Sequence, residues 1–244
     1  MTVLWRLSVK YRDVSLIDLY WGPGFAVIAW IALALEPTPG PVDIALAVLV
    51  SLWGVRLGGY LWSRNRGKPE DARYAAMRRA YANDEAFERA SLVRIFYLQG
   101  ALMWLISLPV QIAIIVGIEK AGVLAFLGLG LFCVGFFFEA VGDYQLARFK
   151  RDPSNHGQVM DKGLWRYTRH PNYFGDACVW WGLYLIAAEA PPARWAILSP
   201  ALMSFLLVRV TGKKLLEDGL RRTKPAYEEY VRRTSPFFPR PPRS

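Results

Sequence analysis

Asp18, Arg56, Glu139, Asp143, Asn172 and Asp176 are polar or ionisable residues set inside, or at the edges of, long apolar runs. A charge inside an apolar layer costs about 2.5–3.5 kcal/mol on insertion scales, so groups kept there are candidates for ligand or proton chemistry. All six lie toward the same side of their runs, and Arg209 closes the last run on that side too. Helical spacing groups them further. Glu139, Asp143, Leu146 and Lys150 follow i, i+4, i+7, i+11, which puts two acids and a base on one helix face. Asp18 shares a face with Trp21 and Gly22, and Arg56 with Trp53 and Tyr60. The structural alternative is an Asp18–Arg56 ion pair that orders two helices.

The segment 161–176, DKGLWRYTRHPNYFGD, concentrates further chemistry. Arg166, Arg169 and His170 directly precede a helix that Pro171 would start, and helix N-termini attract anions through free N–H groups and the macrodipole. A phosphate or carboxylate is the expected ligand. A basic interfacial anchor with neighbouring aromatics would explain the arginines, but not Asn172 and Asp176 one turn apart.

The elements that must carry these residues follow from the apolar runs. These cover 14–35, 42–62, 95–118, 121–141, 176–188 and 195–208, six candidate spans of which the last two are short. Among 244 residues, 54% are hydrophobic and 20% charged, with a formal net charge of +10. So little polar surface could not enclose several uncharged helices in a water-soluble fold. The expectation is a single all-α domain over 1–244, a polytopic bundle of about six transmembrane helices. Of the 30 Lys+Arg, only Arg56, Lys120 and Arg194 fall away from one predicted side, so most of the excess charge reports topology. Both termini and the site are then expected to face the cytoplasm, and a nucleic-acid partner is not expected. No cleavable leader is expected. The stretches 70–89 and 213–233 read as surface helices, the second interrupted by Pro225, suited either to lying on anionic headgroups or to closing over a ligand. Cys133 and Cys178 both lie in predicted spans and suit packing, and two histidines without partners at ligand spacing predict no metal site. Nothing in the sequence specifies an oligomeric state.

The sequence resembles the steroid 5-alpha-reductase family, in particular its smaller bacterial members. The resemblance rests on Gly163-Leu164-Trp165-Arg166-Tyr167, Arg169-His170-Pro171-Asn172-Tyr173-Phe174-Gly175-Asp176 and Asp143-Tyr144-Gln145-Leu146 through Lys150. Leu98-Gln99-Gly100, the first span around Asp18, and the tail acids Glu217, Glu228 and Glu229 add to it. It implies an inner-membrane reductase that uses NADPH to deliver a hydride to the β-carbon of a lipophilic α,β-unsaturated carbonyl, with membrane lipid around it. An acid and a tyrosine would hold the carbonyl oxygen in a dry cavity, where a donor counts for more than in water. Carried over, Asp18 is the acid, in place of the family's usual Glu, and Tyr60 the tyrosine, with Tyr20 and Tyr97 as rivals. Glu139, Asp143, Asn172 and Asp176 would bind polar parts of the cofactor. Arg148, Lys150, Arg151, Arg166, Tyr167, Arg169, His170, Arg209 and Lys213 would form its basic surroundings. Trp21, Trp53, Arg56 and Gln99 would line the substrate cavity.

A similar Arg-His-Pro-Asn-Tyr core occurs in membrane methyltransferases of the isoprenylcysteine and phospholipid type. These use S-adenosylmethionine and an acidic pair, for which Glu217 with Asp218, or Glu228 with Glu229, would serve. A non-catalytic protein that binds lipid headgroups is the third reading.

Overall fold

Where no water reaches, every backbone N–H and C=O must be satisfied within its own segment, so apolar runs of this length become helices. The computed structural model describes residues 1–211, 217, 219–221, 223, 224 and 226–243, and among these there is no strand. Helix α1 (Thr2–Tyr11) precedes the two long helices α2 (Leu16–Leu35) and α3 (Pro41–Asn65). The loop helices α4 (Ala72–Arg79) and α5 (Asp84–Ser91) lead into α6 (Leu98–Ile106) and α7 (Leu108–Val116). Then follow α8 (Val123–Arg151), α9 (Pro171–Ala187), α10 (Leu198–Phe205) and α11 (Tyr227–Arg233).

The expected spans take a less even form. Among the described residues four helical stretches are long and apolar enough to cross a membrane: Leu16–Leu35, Pro41–Asn65, Val123–Arg151 and Pro191–Arg209. A fifth is the pair Asp84–Ile106 and Leu108–Val116, bent by 51°. Pro109 explains that bend, because it has no N–H to offer the Leu105 carbonyl four residues back. The Ser199 hydroxyl donates to that carbonyl instead, at 2.7 Å. Helix α9 has 17 residues, about the shortest length that could span, and most of it is buried among the others.

Close backbone contact sets how the long helices pair. A Cβ on Gly22 of α2 would lie 2.5 Å from the Gly54 carbonyl oxygen of α3. On α9, a Cβ at Gly175 would lie 2.5 Å from the Glu139 amide nitrogen of α8, and one at Gly182 would lie 2.6 Å from the Gly128 carbonyl oxygen. Small residues at such crossings let apolar helices approach when no hydrophobic force separates lipid from side chain. Both pairs are antiparallel, which brings the start of α2, the end of α3, the end of α8 and the start of α9 to one end of the bundle. At its centre Phe25, Trp53 and Trp180 pack at ring distances of 4.5 to 5.6 Å.

A smaller apolar cluster sits at that end. Val14, Ile17, Tyr74, Phe87, Ile95 and Phe96 are buried together beneath α1, α4 and α5. The predicted surface helix over 70–89 is therefore two short helices, broken after Arg79 and restarted where Asn83 caps the Ala86 amide at 2.8 Å. Polar contacts fix α4 over the start of α2. The Asp71 amide donates to Ser15 Oγ at 2.7 Å, and Glu70 takes the Val14 amide and Arg78 Nη2, both at 2.9 Å.

The α8–α9 crossing predicts its own test. Gly175→Ala adds a methyl against backbone that cannot step aside, and is expected to cost about 1–3 kcal/mol. Gly130→Ala on the same helix pair's outer face meets nothing within 4 Å. Thermal unfolding in detergent should separate the two variants; equal melting temperatures would mean the crossing is not tightly packed.

Candidate functional site

The ionisable residues picked out above assemble into two polar groups at the N-terminal end of α2, with a third holding the tail in place.

The first group lies between α3, α8 and α9. Glu139 and Asp143, one turn apart, face Arg56 from α3; its Nη2 reaches Glu139 and its Nη1 reaches Asp143 Oδ2 at 2.8 Å. Trp53 Nε1 donates to Glu139 Oε2 at 2.8 Å, and Asn172 Nδ2 donates to Asp143 Oδ1 at 3.1 Å. Asp176 completes the group. Glu139, Asp143 and Asp176 are 3%, 4% and 8% exposed, so three buried carboxyls share one guanidinium. Within it Asp176 Oδ1, Arg56 Nε and Trp180 Nε1 are buried without a hydrogen-bond partner. Asp176 and Trp180 sit one turn apart on α9, which leaves an unmet acceptor and an unmet donor on one helix. The Asp18–Arg56 ion pair considered from the sequence does not form. Arg56 is taken by α8, because Gly54 and Gly22 fix α3 so that its Trp53 and Arg56 face Glu139.

The second group is built around Asp18. Its carboxylate accepts from the Tyr74 hydroxyl at 2.7 Å and from Arg73 Nη2 at 2.6 Å. Gln99 Nε2 donates to Tyr74 Oη at 3.4 Å. Burial and the adjacent Asp18 charge push the Tyr74 hydroxyl up, so it holds its proton firmly. Burial works against the Arg73 cation, but its bond to Asp71 and the Asp18 charge outweigh that and hold it well above its ordinary value. The tyrosine on the acid is thus Tyr74, which the sequence reading did not single out. Tyr60 instead lies with its ring under Arg64, at 5.8 Å. Tyr20 and Tyr97 line an apolar groove of about 410 Å³ with Gly24, Gly100 and Met103, alongside Met1.

The third group ties the tail down. His170 Nε2 and Arg169 Nε lie 3.0 and 3.1 Å from Glu217 Oε1, and Arg169 Nη1 donates to the Val231 carbonyl at 3.0 Å. His170 also stacks on Tyr173, 5.4 Å between centroids. These two basic residues are buried and partnered, so the anion-binding helix start expected at 169–172 has its positive side chains turned to Glu217.

The remaining predicted residues divide. Trp21 and Trp53 belong to the aromatic core, Trp21 packing edge-on to Phe25 at 5.4 Å. Arg148, Lys150 and Arg151 stand exposed on the last turn of α8, and Arg64, Lys68 and Lys224 lie within electrostatic reach of Lys150. Arg166 and Tyr167 are exposed on the turn before α9, and Arg209 is exposed at the end of the last span. Lys213 and Asp218 lie outside the described residues. Among the described residues no group of three or more His, Cys, Asp or Glu could hold a metal ion.

Comparison with known proteins gives the chain relatives but no described activity. An uncharacterized protein of Schizosaccharomyces pombe, C594.04c, is 28% identical over 272 aligned positions, covering 98% of this chain and 76% of the yeast protein. No solved structure matches the chain. A family model described as a protein of unknown function (DUF1295) matches residues 4–234, and the chain belongs to that family.

Proposed function

We propose that the protein is a membrane-embedded reductase that uses NADPH to saturate the C=C bond of a lipophilic α,β-unsaturated carbonyl. The observation that carries this reading is the Asp18–Tyr74–Gln99 assembly, an acid, a tyrosine and an amide sharing one hydroxyl at the edge of the apolar layer. DUF1295 is a family associated with steroid 5-alpha-reductase-like proteins, which supports it further.

The residues present fit the cofactor. Asp176 Oδ1 and Trp180 Nε1 are the unmet acceptor and donor that a carboxamide requires, and Lys150 with Arg64, Lys68 and Lys224 offers a basic rim for phosphates. When bound, the cofactor would supply a hydride. The protein's part is to hold the carbonyl oxygen. Without substrate the Tyr74 hydroxyl gives its one proton to Asp18 and accepts from Gln99; to hold the substrate it would turn that proton to the carbonyl oxygen, with Gln99 as the second donor and Asp18, held by Arg73, keeping the side chain in place. Negative charge that develops on that oxygen is then met by a donor set in advance, in surroundings poor in water. The basic end of the bundle faces the cytosol in this reading, since the apolar helices leave nearly all cationic residues on that side.

One observation favours a second reading. Glu217, buried against Arg169 and His170, is the kind of acid a membrane methyltransferase sets beside its S-adenosylmethionine. Titration of the detergent-purified protein with NADPH and with S-adenosylmethionine separates the two. Saturable NADPH binding is expected, and binding of S-adenosylmethionine alone would overturn the reductase reading. Asn172→Ala, which removes an amide whose hydrogen bonds among the described residues go to Asp143 and to the next amide of its own helix, is expected to weaken NADPH binding about tenfold with the fold intact. Unchanged affinity would take Asn172 out of the site.

A further inference from the structure

Arg166, Arg233 and Arg243 come from three separate pieces of chain: the turn before α9, the last turn of α11, and the tail. They converge on one cavity of about 390 Å³, lined also by Asp161, Tyr230 and Thr234. Like charges do not gather without cause. The nearest carboxylates to Arg233 are those of Glu229 at 3.7 Å and Asp161 at 3.8 Å, both beyond hydrogen-bond range. Among the described residues, the Arg166 and Arg243 side chains make no ion pair or hydrogen bond.

Backbone pins hold the convergence in place. The Arg243 amide donates to the Arg233 carbonyl at 2.9 Å, and the Arg240 amide to the Tyr167 carbonyl at 3.0 Å. The Arg169 amide donates to the Ser235 carbonyl at 2.9 Å, and the Thr168 hydroxyl to the Phe237 carbonyl at 2.7 Å. The buried Tyr230 hydroxyl donates to the Trp165 carbonyl at 2.6 Å. The cavity is therefore built into the fold, with three guanidiniums against two carboxylates, both of which lie at long range from Arg233. Guanidiniums in this arrangement match the paired oxygens of a phosphate.

The same tail locates the cavity relative to the apolar layer. Phe237 and Phe238 pack on Phe174 at 6.0 and 6.1 Å, and Phe174 packs on Phe138 of the membrane-crossing α8 at 5.1 Å. Phe238 is 62% exposed and Tyr167 43% exposed. Exposed aromatics continuous with a span mark the level where a helix leaves hydrocarbon for headgroups. Arg243 stands a few residues further along that tail, Arg233 a few residues before Phe237, and Arg166 next to Tyr167, which would set the cavity near the level of lipid phosphates.

We propose that the Arg166–Arg233–Arg243 cavity binds the phosphate of an anionic lipid headgroup. This site does not depend on the reductase reading: Arg166, expected from the resemblance to flank the cofactor, lines this cavity, and the contacts proposed above for carbonyl and cofactor use none of its residues.

Native mass spectrometry of the full chain, released from detergent with phosphatidylglycerol, phosphatidylcholine or glycerol 3-phosphate, tests it. Retained phosphatidylglycerol adducts are expected in preference to phosphatidylcholine, with glycerol 3-phosphate weaker because it lacks the acyl chains. Arg166→Gln/Arg233→Gln/Arg243→Gln should lower phosphatidylglycerol affinity at least tenfold while the melting temperature without lipid stays unchanged. If the triple variant fails to fold, Arg243→Gln alone, on the exposed tail, is expected to lower it several-fold. Equal adduct retention by wild type and variant would overturn the site. So would glycerol 3-phosphate binding as well as the lipid, or NADPH displacing the lipid; these would assign the cavity to a soluble phosphate or to the cofactor.

Discussion

Arg56→Met is expected to unfold the protein more readily than any other single substitution in the polar interior. Glu139 and Asp143 both bond to this guanidinium, and Asp176 lies in the same buried group. Arg56 side-chain atoms are 17% exposed and the two carboxylates 3% and 5%, so water cannot replace the lost partner. Removing one member of a buried pair leaves an uncompensated charge and costs about 3–5 kcal/mol. A compensating change sharpens the argument. Arg56→Met with Glu139→Gln removes a charge of each sign, and should recover part of the loss if the damage is electrostatic rather than steric. Thermal unfolding of Arg56→Met, Glu139→Gln and the double variant in one detergent measures the coupling. A single variant that melts with the wild type would show that the carboxyls do not depend on Arg56. A double variant no more stable than Arg56→Met would assign the cost to packing.

Much of this arrangement was readable from residue order. The i, i+4 spacing of Glu139 and Asp143 put them on one face because α8 continues unbroken to Arg151, well past the apolar run that ends at 141. The depth shared by Asp18, Arg56, Asn172 and Asp176 also survives in the fold, since antiparallel packing of helices at glycine crossings preserves depth. Pairing was not readable. Asp18 and Arg56 lie on neighbouring helices at similar depth, yet each bonds elsewhere, because rotation about a helix axis is set by contacts such as Gly22 against Gly54 rather than by depth. Tyr74 was missed for another reason. It lies in a polar loop whose charges resemble those of any helix on a membrane surface, and only the burial of Phe87, Ile17 and Phe96 around it turns that loop inward. His170 and Arg169 show another long-range pairing that residue order does not give. Their motif suggests a ligand site, but Glu217, distant in sequence, already meets them.

Turnover should be lost at Asp18 and Tyr74 with cofactor binding intact, and the two substitutions should fail in different ways. Tyr74→Phe keeps the ring in its buried cluster and deletes only the hydroxyl, the group proposed to donate to the carbonyl oxygen. Loss of one such donor costs about 10²–10³ in kcat. Asp18→Asn keeps the size but loses the charge that bonds both the hydroxyl and Arg73, so the hydroxyl stays and its positioning weakens. Its kcat should fall less than that of Tyr74→Phe. Arg73→Gln removes the ion pair and spares the Asp18–Tyr74 bond, and separates positioning from plain loss of structure. Each variant is measured by NADPH oxidation with a panel of lipophilic enones, including a 3-oxo-Δ4 steroid, and by NADPH titration without substrate. Cofactor affinity within about twofold of wild type is the expected outcome for all three. If Asp18→Asn instead weakens NADPH binding and turnover to the same degree, the acid belongs with the packing of α4 on α2. If Tyr74→Phe turns over at the wild-type rate, the carbonyl is held elsewhere. Tyr60, whose ring lies under Arg64, would then be the next residue to replace, because it is on the same helix as Arg56 and one turn further toward the basic end.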